Sequence, residues 1–353
     1  MVDIIVIVAD SDVERMTMHN DASSFLLLEQ GRKTEALSIT DHTGGGAVNA
    51  AVCMARLGLD VSTLIKIGQD GDAERIESRL GKEGIDPSAI VRTDVLPTGR
   101  AVMVSSHDQN ATIFTQRGAN TLLVRDDIRP EMFDGRDLVY ITNLSNRSAD
   151  CFPEIVRLAK VAGAFVAANP GIRQLTSRSG AFMKCLPSID FLAVNRKEAE
   201  AMVPTLVASV DGPDDPAPSD PSLPRLWRVG LEFGGFSLGL SSFLGRMRSL
   251  GVGSVAVTDG SQGAYLANDQ GVFFCPAADV EVQGTAGAGD AFSSTLCASL
   301  AEGFSPADAL IRATLNASSV VGAIDAQSGL CTRERLDLAA GREDHGLAVT
   351  RLG

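Results

Sequence analysis

Short apolar segments alternate with helical patterns along most of this 353-residue chain. Each segment is followed by turn residues, a pattern typical of strands buried on both faces. Between them, apolar residues recur at the three- and four-residue spacing of amphipathic helices. This alternation predicts an α/β fold with a mostly parallel sheet covered by helices. The predicted strands are Ile4–Ala9, Val61–Ile67, Leu138–Thr142, Ala164–Ala168, Phe191–Val194 and Val255–Thr258.

Two stretches interrupt this rhythm, at about 13–40 and 95–118. Both favour short alternating strands, which predicts a small antiparallel sheet outside the main layer, where a lid would lie. The segment 211–224 is rich in Pro, Asp and Ser and predicts a flexible surface insertion. The polar tail after Thr332 is expected to be peripheral. We therefore expect one domain over residues 1–353, carrying a lid and an insertion.

Composition narrows the function classes. The formal net charge is -13 and no strong basic run occurs, so a nucleic-acid partner is not expected. No run of 18 apolar residues predicts a membrane span, and the first ten residues lack the pattern of a secretory signal. The six cysteines are scattered without a CxxC pair, and the four histidines lack metal-ligand spacing. Together these features predict buried thiols in a reducing cytoplasm.

The strongest candidate for chemistry is a glycine-rich segment from Gly284 to Phe292, with Asp290 inside it. It follows a strand-like run at 279–283 and precedes a helical pattern. Small residues let backbone N–H groups approach an anion closely, and a helix N-terminus adds a favourable dipole. Such a nest would hold a transferring phosphoryl group, and Asp290 would accept a hydroxyl proton. An ordinary glycine turn with Asp290 as a helix N-cap also accounts for these residues.

Two further segments each allow a ligand-binding interpretation and a purely structural one. Three glycines and Asn49 lead into the helical pattern 47–57, which suits close approach to a ligand and hydrogen bonding to hydroxyls. A flexible loop before a helix accounts for them equally. Asn195 and Glu198 share a face at a helix start and would suit hydrated Mg²⁺. The same pair also fits a helix capping box.

A fourth segment follows the strand at Val255–Thr258. Thr258, Gly260 and Gly263 would suit a nucleotide phosphate, because ligands of open α/β sheets collect at the carboxyl ends of strands. The alternative is a hairpin turn, with 264–267 as a returning strand.

The two glycine segments resemble the paired signatures of the ribokinase-like (PfkB) carbohydrate kinase family. Gly44 to Gly58 is similar to the N-terminal pattern GGxxxNxAxxxxRLG, and Gly284 to Phe292 is similar to the C-terminal pattern DTxGAGDxF. The resemblance covers roughly residues 1–330. It implies a doubly wound α/β domain with a small β lid, which transfers a phosphoryl group from ATP to a sugar-type hydroxyl with Mg²⁺.

The resemblance also implies roles for individual residues. Asp290 is the implied base, and backbone amides of Gly287, Ala288 and Gly289 belong to the implied anion hole. The other implied contacts are Gly45, Gly46 and Asn49 with substrate, Asn195, Thr258, Gly260, Gly263 and Asn316 with ATP, and Glu198 with Mg²⁺ through water.

The chain departs from the family pattern in two places. The family's substrate acid is usually an Asp after the first strand, and the alignment places Glu14 there, with Asp12 at a position that is commonly Asn. Gly284 and Ala286 replace side chains that help to bind a monovalent cation in potassium-activated members. Weak or absent potassium activation is therefore expected.

Two polar residues outside the signatures are further candidate substrate contacts. Arg117 lies at the expected base of the lid, and Asn169 follows the strand Ala164–Ala168. A solvated arginine beside a turn also accounts for Arg117.

The sequence disfavours two rival functions and leaves two others open. The GxGxxA string at 251–256 precedes a strand instead of joining a strand to a helix, which disfavours an NAD-dependent oxidoreductase. No GxxxxGK[ST] motif supports a P-loop ATPase. A nucleoside (adenosine-type) kinase and a non-catalytic sugar- or nucleotide-binding protein on the same fold stay open. A homodimer through the lid sheet is a further expectation, since related folds often dimerise there.

Overall fold

The computed structural model describes residues 1–9, 11, 14–17, 24–27, 29–31, 33–105, 111–209, 220–342 and 344–352. Its largest element is a seven-stranded sheet in the order β17-β16-β15-β14-β11-β10-β9. The four strands β9, β10, β11 and β14 are parallel to one another, whereas β15, β16 and β17 pair in antiparallel fashion. The bounds are β9 Leu138–Ile141, β10 Phe165–Ala168, β11 Phe191–Asn195, β14 Ser254–Thr258, β15 Ala264–Asn268, β16 Gly271–Cys275 and β17 Thr350–Arg351.

The predicted burial on both faces is visible in the central strand β14. Val255 and Val257 pack into one core, whereas Ala256 packs into another on the opposite face. The side chains of a strand alternate between faces, so an apolar run without polar positions must be covered on both sides. One face contacts the helices Arg196–Ser209 (α6) and Leu240–Ser249 (α8), and the other contacts Ala288–Ala301 (α9) and Pro306–Val321 (α10). The predicted α/β class with a mostly parallel, helix-flanked sheet is confirmed.

Three of the described helices begin at residues whose side chains cap the first turn. Asp70, Ser305 and Thr332 each accept a hydrogen bond from a backbone N–H in the first turn of α2, α10 and α11. The bounds are α1 Gly46–Arg56, α2 Gly71–Lys82, α3 Phe152–Val161, α4 Ile172–Ser177, α5 Ser179–Cys185, α6 Arg196–Ser209, α7 Arg225–Val229, α8 Leu240–Ser249, α9 Ala288–Ala301, α10 Pro306–Val321 and α11 Arg333–Ala340.

A four-stranded sheet in the order β4-β1-β7-β8 forms the lid, where the sequence predicted a separate small sheet. Two of the buried-strand candidates lie outside the main sheet: Ile4–Ala9 belongs to β1 of this lid, and Val61–Ile67 contains β5, which pairs with β6. Two small two-stranded sheets lie outside the large ones, besides β5 with β6. The bounds are β1 Val2–Val8, β2 Glu14–Thr17, β3 Ser24–Leu27, β4 Ala36–Thr43, β5 Ile65–Ile67, β6 Ile90–Arg92, β7 Arg100–Ser105, β8 Thr112–Gln116, β12 Leu231–Phe233 and β13 Phe236–Leu238.

Two local predictions were wrong. The run 279–283 is not a strand, and its chain instead approaches the end of α10, where Gln283 N–H donates to the carbonyl of Val321. The tail after Thr332 is not only peripheral, because Leu336 of α11 is fully buried and β17 pairs with β16. In both cases tertiary contacts outweigh the local pattern, which short segments specify weakly.

Other expectations have mixed outcomes. The insertion 211–224 falls mostly outside the described residues, which resume at Asp220 with a turn bonded to Ser222. All six cysteines are buried free thiols, as predicted. Among the described residues, no helix has both the length and the apolar character needed to cross a membrane.

Candidate active site

The two glycine signatures meet in space through Asn49 and Asp290. The Asn49 side-chain amide, on α1, donates to Oδ2 of Asp290, on α9, at 2.8 Å. Gln327 donates in turn to Oδ1 of Asn49 at 2.9 Å. Residues 241 positions apart in sequence are thereby fixed to each other. Asn49 is 5% exposed, and its side-chain amide makes both of these hydrogen bonds. Its expected contact with substrate stays a prediction.

Gly46 is required where the two segments approach. A Cβ added there would lie 2.2 Å from Thr142 Oγ1 and 3.3 Å from Asp290 Oδ1. Any side chain at Gly46 would therefore push into the space directly in front of the carboxylate. Thr142 follows β9, so this space lies at the carboxyl edge of the main sheet, as expected for an open α/β fold.

The N-terminus of α9 lies where the sequence predicts an anion nest. Gly287 is the N-cap residue with φ 79°, and an added Cβ would lie 2.4 Å from the Ala326 side chain. Only glycine satisfies both conditions without strain. The first N–H groups of a helix lack intrahelical partners. The Ala288 N–H makes one long bond, of 3.4 Å, to the carbonyl of Thr285, and the N–H of Gly289 suits an anion beside Asp290.

Asp290 sits where a carboxylate becomes a better base. Burial raises its pKa above the ordinary value, and the hydrogen bond from Asn49 opposes this shift. A raised pKa strengthens proton affinity, while the Asn49 amide holds the ionised oxygen in place. This combination suits a group that must take a hydroxyl proton near neutral pH. The capping interpretation is not supported, because Asp290 lies inside the first turn and Gly287 is the N-cap.

Sequence reasoning missed Asp3, a buried carboxylate at the same cleft. Asp3 is on β1, opposite His42 of β4, and its carboxylate packs so closely on Gly44 that an added Cβ there would overlap it. Burial raises its pKa to about 6, and the negative charges of Asp290 and Asp325 act in the same direction. The signal available in the sequence was an acid at a buried position of an otherwise apolar strand.

The structure does not support the prediction that Glu14 is the substrate acid. Glu14 is exposed on the β2–β3 ribbon, outside the four-stranded lid sheet. The alignment sought the acid after the strand Ile4–Ala9, but the chain passes the glycine loop before that strand, at Asp3. Asp12, the other expected acid, lies outside the described residues.

Asn195 and Glu198 form the capping box that the sequence allowed. Glu198 N–H donates to Asn195 Oδ1 at 3.0 Å, and Asn195 N–H donates to Glu198 Oε2 at 2.9 Å. Burial raises the pKa of Glu198 to about 7, and the charge of Asp290 contributes to the rise. The cap and the proposed metal role are compatible, because the second carboxylate oxygen is not used by the cap.

Three of the expected nucleotide contacts follow the central strand β14. Thr258 ends β14 one strand from Asn195, and their Cα positions are in register. Gly260 and Gly263 follow with φ 56° and 105°, in a turn that leads into the predicted returning strand, now β15. These residues lie at the same carboxyl edge as Glu198, so they stay candidates for ATP.

The structure does not support the predicted contact between Asn316 and ATP. Its side chain is fully buried, donates to Thr295 Oγ1 at 2.8 Å and accepts from Cys331 N–H at 2.8 Å. An amide with both ends bonded inside the core does not line an open pocket. Asn316 instead ties α10 to α9 and to the segment before α11.

Arg117 and Asn169 have different surroundings. Arg117 lines a cleft of about 890 Å³ with Gly45 and Gly46, and donates to Ser145 Oγ at 2.8 Å. Burial lowers its pKa, with a further contribution from Arg173. Asn169 donates to the carbonyl of Ala193 at 3.0 Å and so ties β10 to β11.

A carboxylate held by an amide at a glycine-lined helix N-terminus is an arrangement that suits phosphoryl transfer to a small molecule. Comparison with known proteins agrees. Residues 9–212 and 242–333 match the pfkB family of carbohydrate kinases, and the chain belongs to that family. It is a kinase that uses ATP to phosphorylate a sugar-type hydroxyl. The unmatched stretch 213–241 contains the end of the predicted insertion.

Individual relatives are distant. The chain is 25% identical to a ribokinase from Staphylococcus aureus over 253 residues, 70% of this chain and 71% of the relative. It is 24% identical to the 2-dehydro-3-deoxygluconokinase of Bacillus subtilis over 332 residues, 92% of this chain and 94% of the relative. The structure of Arabidopsis thaliana ribokinase complexed with ribose and ATP matches with a TM-score of 0.70 and 21% identity, covering 97% and 96% of the two chains. This likeness supports the ribokinase-like fold.

Proposed function

We propose that Asp290 is the general base of the phosphoryl transfer, and that the N–H groups around Gly287, Ala288 and Gly289 bind the transferring phosphoryl group. The observation that carries this proposal is the hydrogen bond from Asn49 to Asp290 at 2.8 Å. It orients one carboxylate oxygen and leaves the other directed toward the space before Gly46. A substrate hydroxyl placed there meets the base and the anion nest together.

The remaining residues position the two reactants. The carboxylate of Asp3 accepts a hydrogen bond from a second substrate hydroxyl, beside Gly44 and Gly45. The residues Thr258, Gly260 and Gly263 contact the ATP phosphates along the sheet edge. The lid sheet covers the cleft after binding and excludes water, which limits ATP hydrolysis.

The donor set suits magnesium held mainly by phosphates and water. Among the described residues, no group of three His, Cys, Asp or Glu side chains could hold a metal alone. Mg²⁺ keeps several waters and commonly binds one or two carboxylates together with substrate phosphates. Glu198 fits as the carboxylate, and bound Mg²⁺ would supply charge neutralisation at the phosphates. Gly284 offers no side chain for a monovalent cation, in keeping with the expected weak potassium dependence.

A neutral sugar is the proposed substrate class. Asp3 and Asp290 lie at the cleft, and their negative charges disfavour a second anion beside them. The test measures ADP release over a panel of neutral sugars, sugar acids and nucleosides. We expect at least one neutral sugar to support turnover well above ATP hydrolysis without acceptor. Turnover only with nucleosides would instead establish a nucleoside kinase, and binding without turnover would establish a non-catalytic protein.

A sugar acid is the second candidate, and Arg117 favours it. Arg117 lines the cleft and donates to a neutral hydroxyl, so its charge is available to a substrate carboxylate. Arg117→Met separates the two classes. It would raise the KM for a sugar acid strongly and would leave the KM of a neutral sugar nearly unchanged.

Substitution of Glu198 by Gln is expected to raise the Mg²⁺ concentration for half-maximal activity by about 10- to 100-fold, the usual cost of losing a group that tunes a metal site. Glutamine retains the capping geometry but loses the charge. The measurement is a Mg²⁺ titration of ADP release at saturating ATP. Glu200→Gln is the matched control, because Glu200 lies on the same helix and bonds to Arg196. Equal Mg²⁺ requirements in all three proteins would exclude Glu198 from the metal site.

The outer face of the lid supports a homodimer. Leu37, Ile39 and Phe114 are 59%, 65% and 57% exposed and share one face with Val6 and Val102 by strand register. An apolar sheet face of this kind is usually covered in solution. We expect a dimer in light scattering, and a monomer for the double variant Leu37→Lys and Ile39→Lys. Val161→Lys, at an apolar position on α3 that is 75% exposed, should remain dimeric. A wild-type monomer at high concentration would overturn this interpretation.

A further inference from the structure

A chain of side-chain hydrogen bonds ends at the carboxylate of Asp290. Its outer end is Arg79 on α2, whose Nε donates to Gln327 Oε1 at 3.0 Å. Gln327 Nε2 donates to Asn49 Oδ1 at 2.9 Å, and the Asn49 amide donates to Asp290 Oδ2 at 2.8 Å. Gln327 is 2% exposed and Asn49 is 5% exposed. Two buried amides are thereby aligned in series between a guanidinium and the proposed base.

The backbone and side chain of Gln327 are held from several sides. Its N–H donates to Asp325 Oδ1 at 2.8 Å, and its carbonyl accepts from Arg56 Nη1 at 3.0 Å. Thr43, at the end of β4, donates to Gln327 Oε1 at 3.2 Å. The place of the Gln327 amide is therefore fixed. Which of its two ends carries the oxygen is decided by the groups that it meets.

The chemistry of the partners fixes the orientation of both amides. An arginine side chain has donors and no acceptor, so the end of Gln327 that meets Arg79 must be its oxygen. The NH₂ group of Gln327 then meets Asn49, which must present its own oxygen there and its NH₂ group to Asp290. Reversal of either amide would set donor against donor or acceptor against acceptor, which leaves buried polar groups unpaired.

This orientation matters to a base that gains and loses a proton. Burial raises the pKa of Asp290, and the donor on Oδ2 opposes that rise. If both amides reversed together, protonated Asp290 would donate to the oxygen of Asn49, and the acid form would be stabilised. Arg79 prevents the reversal, because it offers no acceptor to a turned Gln327. A substrate proton is then accepted on Oδ1, the oxygen that lies 3.3 Å from a Cβ added to Gly46.

Arg79 is held at the outer end of the chain by neighbouring charges. Its Nη2 pairs with Glu83 Oε1 at 2.8 Å, and Glu83 also pairs with Arg56. The Arg79 side chain is 28% exposed and lines an open cavity of about 810 Å³. Small ions therefore reach Arg79, whereas the amides behind it are buried. Charged or titratable side chains of β4, α2 and the loop at 325–328 also line the cavity: Asp41, His42, Glu74, Arg75, Lys82 and Asp325.

Asp290 has titratable neighbours of its own. Its negative charge and those of Asp3, on β1, and Glu198, on α6, act on one another. Tyr140, on β9, also lies within reach of that charge. These three groups are unchanged when the outer part of the chain is substituted. A difference in pH profile between such variants therefore reports on the hydrogen bonds and not on these neighbours.

We propose that Arg79 and Gln327 are positioning residues for the phosphoryl transfer. They fix the orientation of the Asn49 amide, and through it they keep a hydrogen-bond donor on Asp290 Oδ2 throughout the catalytic cycle. Arg79 acts through two intervening side chains and needs no contact with sugar or ATP. The inference rests on the proposed role of Asp290 as the base.

The first test measures the pH profile of kcat in Arg79→Ala. Without the guanidinium, Gln327 and Asn49 can reverse together, and the oxygen of Asn49 then faces Asp290. We expect kcat at neutral pH to fall by about 3- to 30-fold, the range for coupling carried by a hydrogen-bond network. The decline of the rate with falling pH should begin at a higher pH than in the wild type. The KM values for sugar and ATP should be nearly unchanged.

Three further measurements distinguish this role from a general loss of structure. Arg75→Ala is the matched control, because it removes the same charge from the same helix, where Arg75 pairs with the exposed Asp41. It should keep the wild-type profile. Arg79→Lys retains a side chain with donors only and should recover most of the rate. Added guanidinium should enter the open cavity and restore part of kcat in Arg79→Ala but not in Gln327→Leu. A folding defect would instead worsen, since guanidinium weakens folded proteins.

The double variant Asn49→Ala with Arg79→Ala tests the route. Once the Asn49 amide is absent, loss of Arg79 should add little, so the two effects on kcat should be strongly non-additive. Additive effects would overturn the proposal. A wild-type pH profile in both Arg79→Ala and Gln327→Leu, together with a slow Asp290→Asn, would overturn it while leaving the base assignment intact. Asp290→Asn at full rate would overturn the base assignment, and this inference with it.

Discussion

Asp290→Asn is expected to lower kcat by about 10²- to 10⁴-fold, the usual contribution of a positioned general base. Asparagine has nearly the same shape and can still meet the Asn49 amide after a flip, so the cleft should stay intact. It cannot accept the hydroxyl proton. The expected result is therefore a loss in kcat with little change in ATP affinity, measured by ADP release and by equilibrium binding of ATP.

The matched control for this variant is Asp308→Asn. Asp308 also lies in the first turn of a long helix, α10, where its carboxylate accepts from the Ser305 hydroxyl at 2.6 Å. Asp308 is exposed and no role in the cleft is proposed for it, so the substitution Asp308→Asn should leave kcat nearly unchanged. Equal kcat in wild type and Asp290→Asn would refute the base assignment. Loss of ATP binding in that variant would show that Asp290 organises the nucleotide site instead.

The pH profile provides an independent check on the same carboxylate. A base acts in its ionised form, and burial raises the pKa of Asp290. The rate should therefore decline as pH falls, and the decline should begin at a higher pH than for an exposed aspartate. Asn49→Ala removes the hydrogen bond that opposes the shift, so the decline should move to still higher pH. An unchanged profile would show that Asn49 does not tune Asp290.

Periodicity predicted the parts of the fold that are dictated by burial. Segments such as Val255–Thr258 are apolar without interruption because both faces of the sheet are covered, and this constraint is local in sequence. The helix start at Asn195 was equally predictable, since a capping box is satisfied within four residues. The predictions for 279–283 and for the tail after Thr332 failed because those segments are shaped by distant partners.

The candidate site was predictable only as far as its motifs are contiguous. The glycine segments indicated Asp290 and the anion nest, but the sequence could not show that Asn49 bonds to Asp290 across 241 positions. It assigned Asn316 to a pocket, although both ends of that amide are satisfied in the core. The acid of the lid was missed for a related reason. Asp3 lies within β1 and Glu14 begins β2, and only the path of β1 past Gly44 decides between them.

Asp3→Asn is expected to raise the KM of the sugar by about 10- to 150-fold, which corresponds to the 1.5–3 kcal/mol of a hydrogen bond to a charged group. The loss should fall on KM more than on kcat, because Asp3 is proposed to hold a hydroxyl that does not react. Glu14→Gln tests the competing assignment directly. It should leave both constants unchanged, since Glu14 is exposed on the β2–β3 ribbon. The reverse outcome, a KM effect from Glu14 alone, would restore the assignment made from sequence.

The same residue predicts a pH dependence of sugar binding. Burial and the neighbouring acids raise the pKa of Asp3 to about 6, so its charge is present above that pH and is lost below it. The KM of the sugar should rise by about tenfold per pH unit below 6 in the wild type, as expected for the loss of one ionised group. Folding stability follows the opposite direction: the folded state holds this proton more tightly than the unfolded chain, so ionisation of Asp3 lowers stability as pH rises toward 6. In Asp3→Asn both dependences should flatten, and a wild-type KM that is constant from pH 5 to 8 would remove Asp3 from the sugar site.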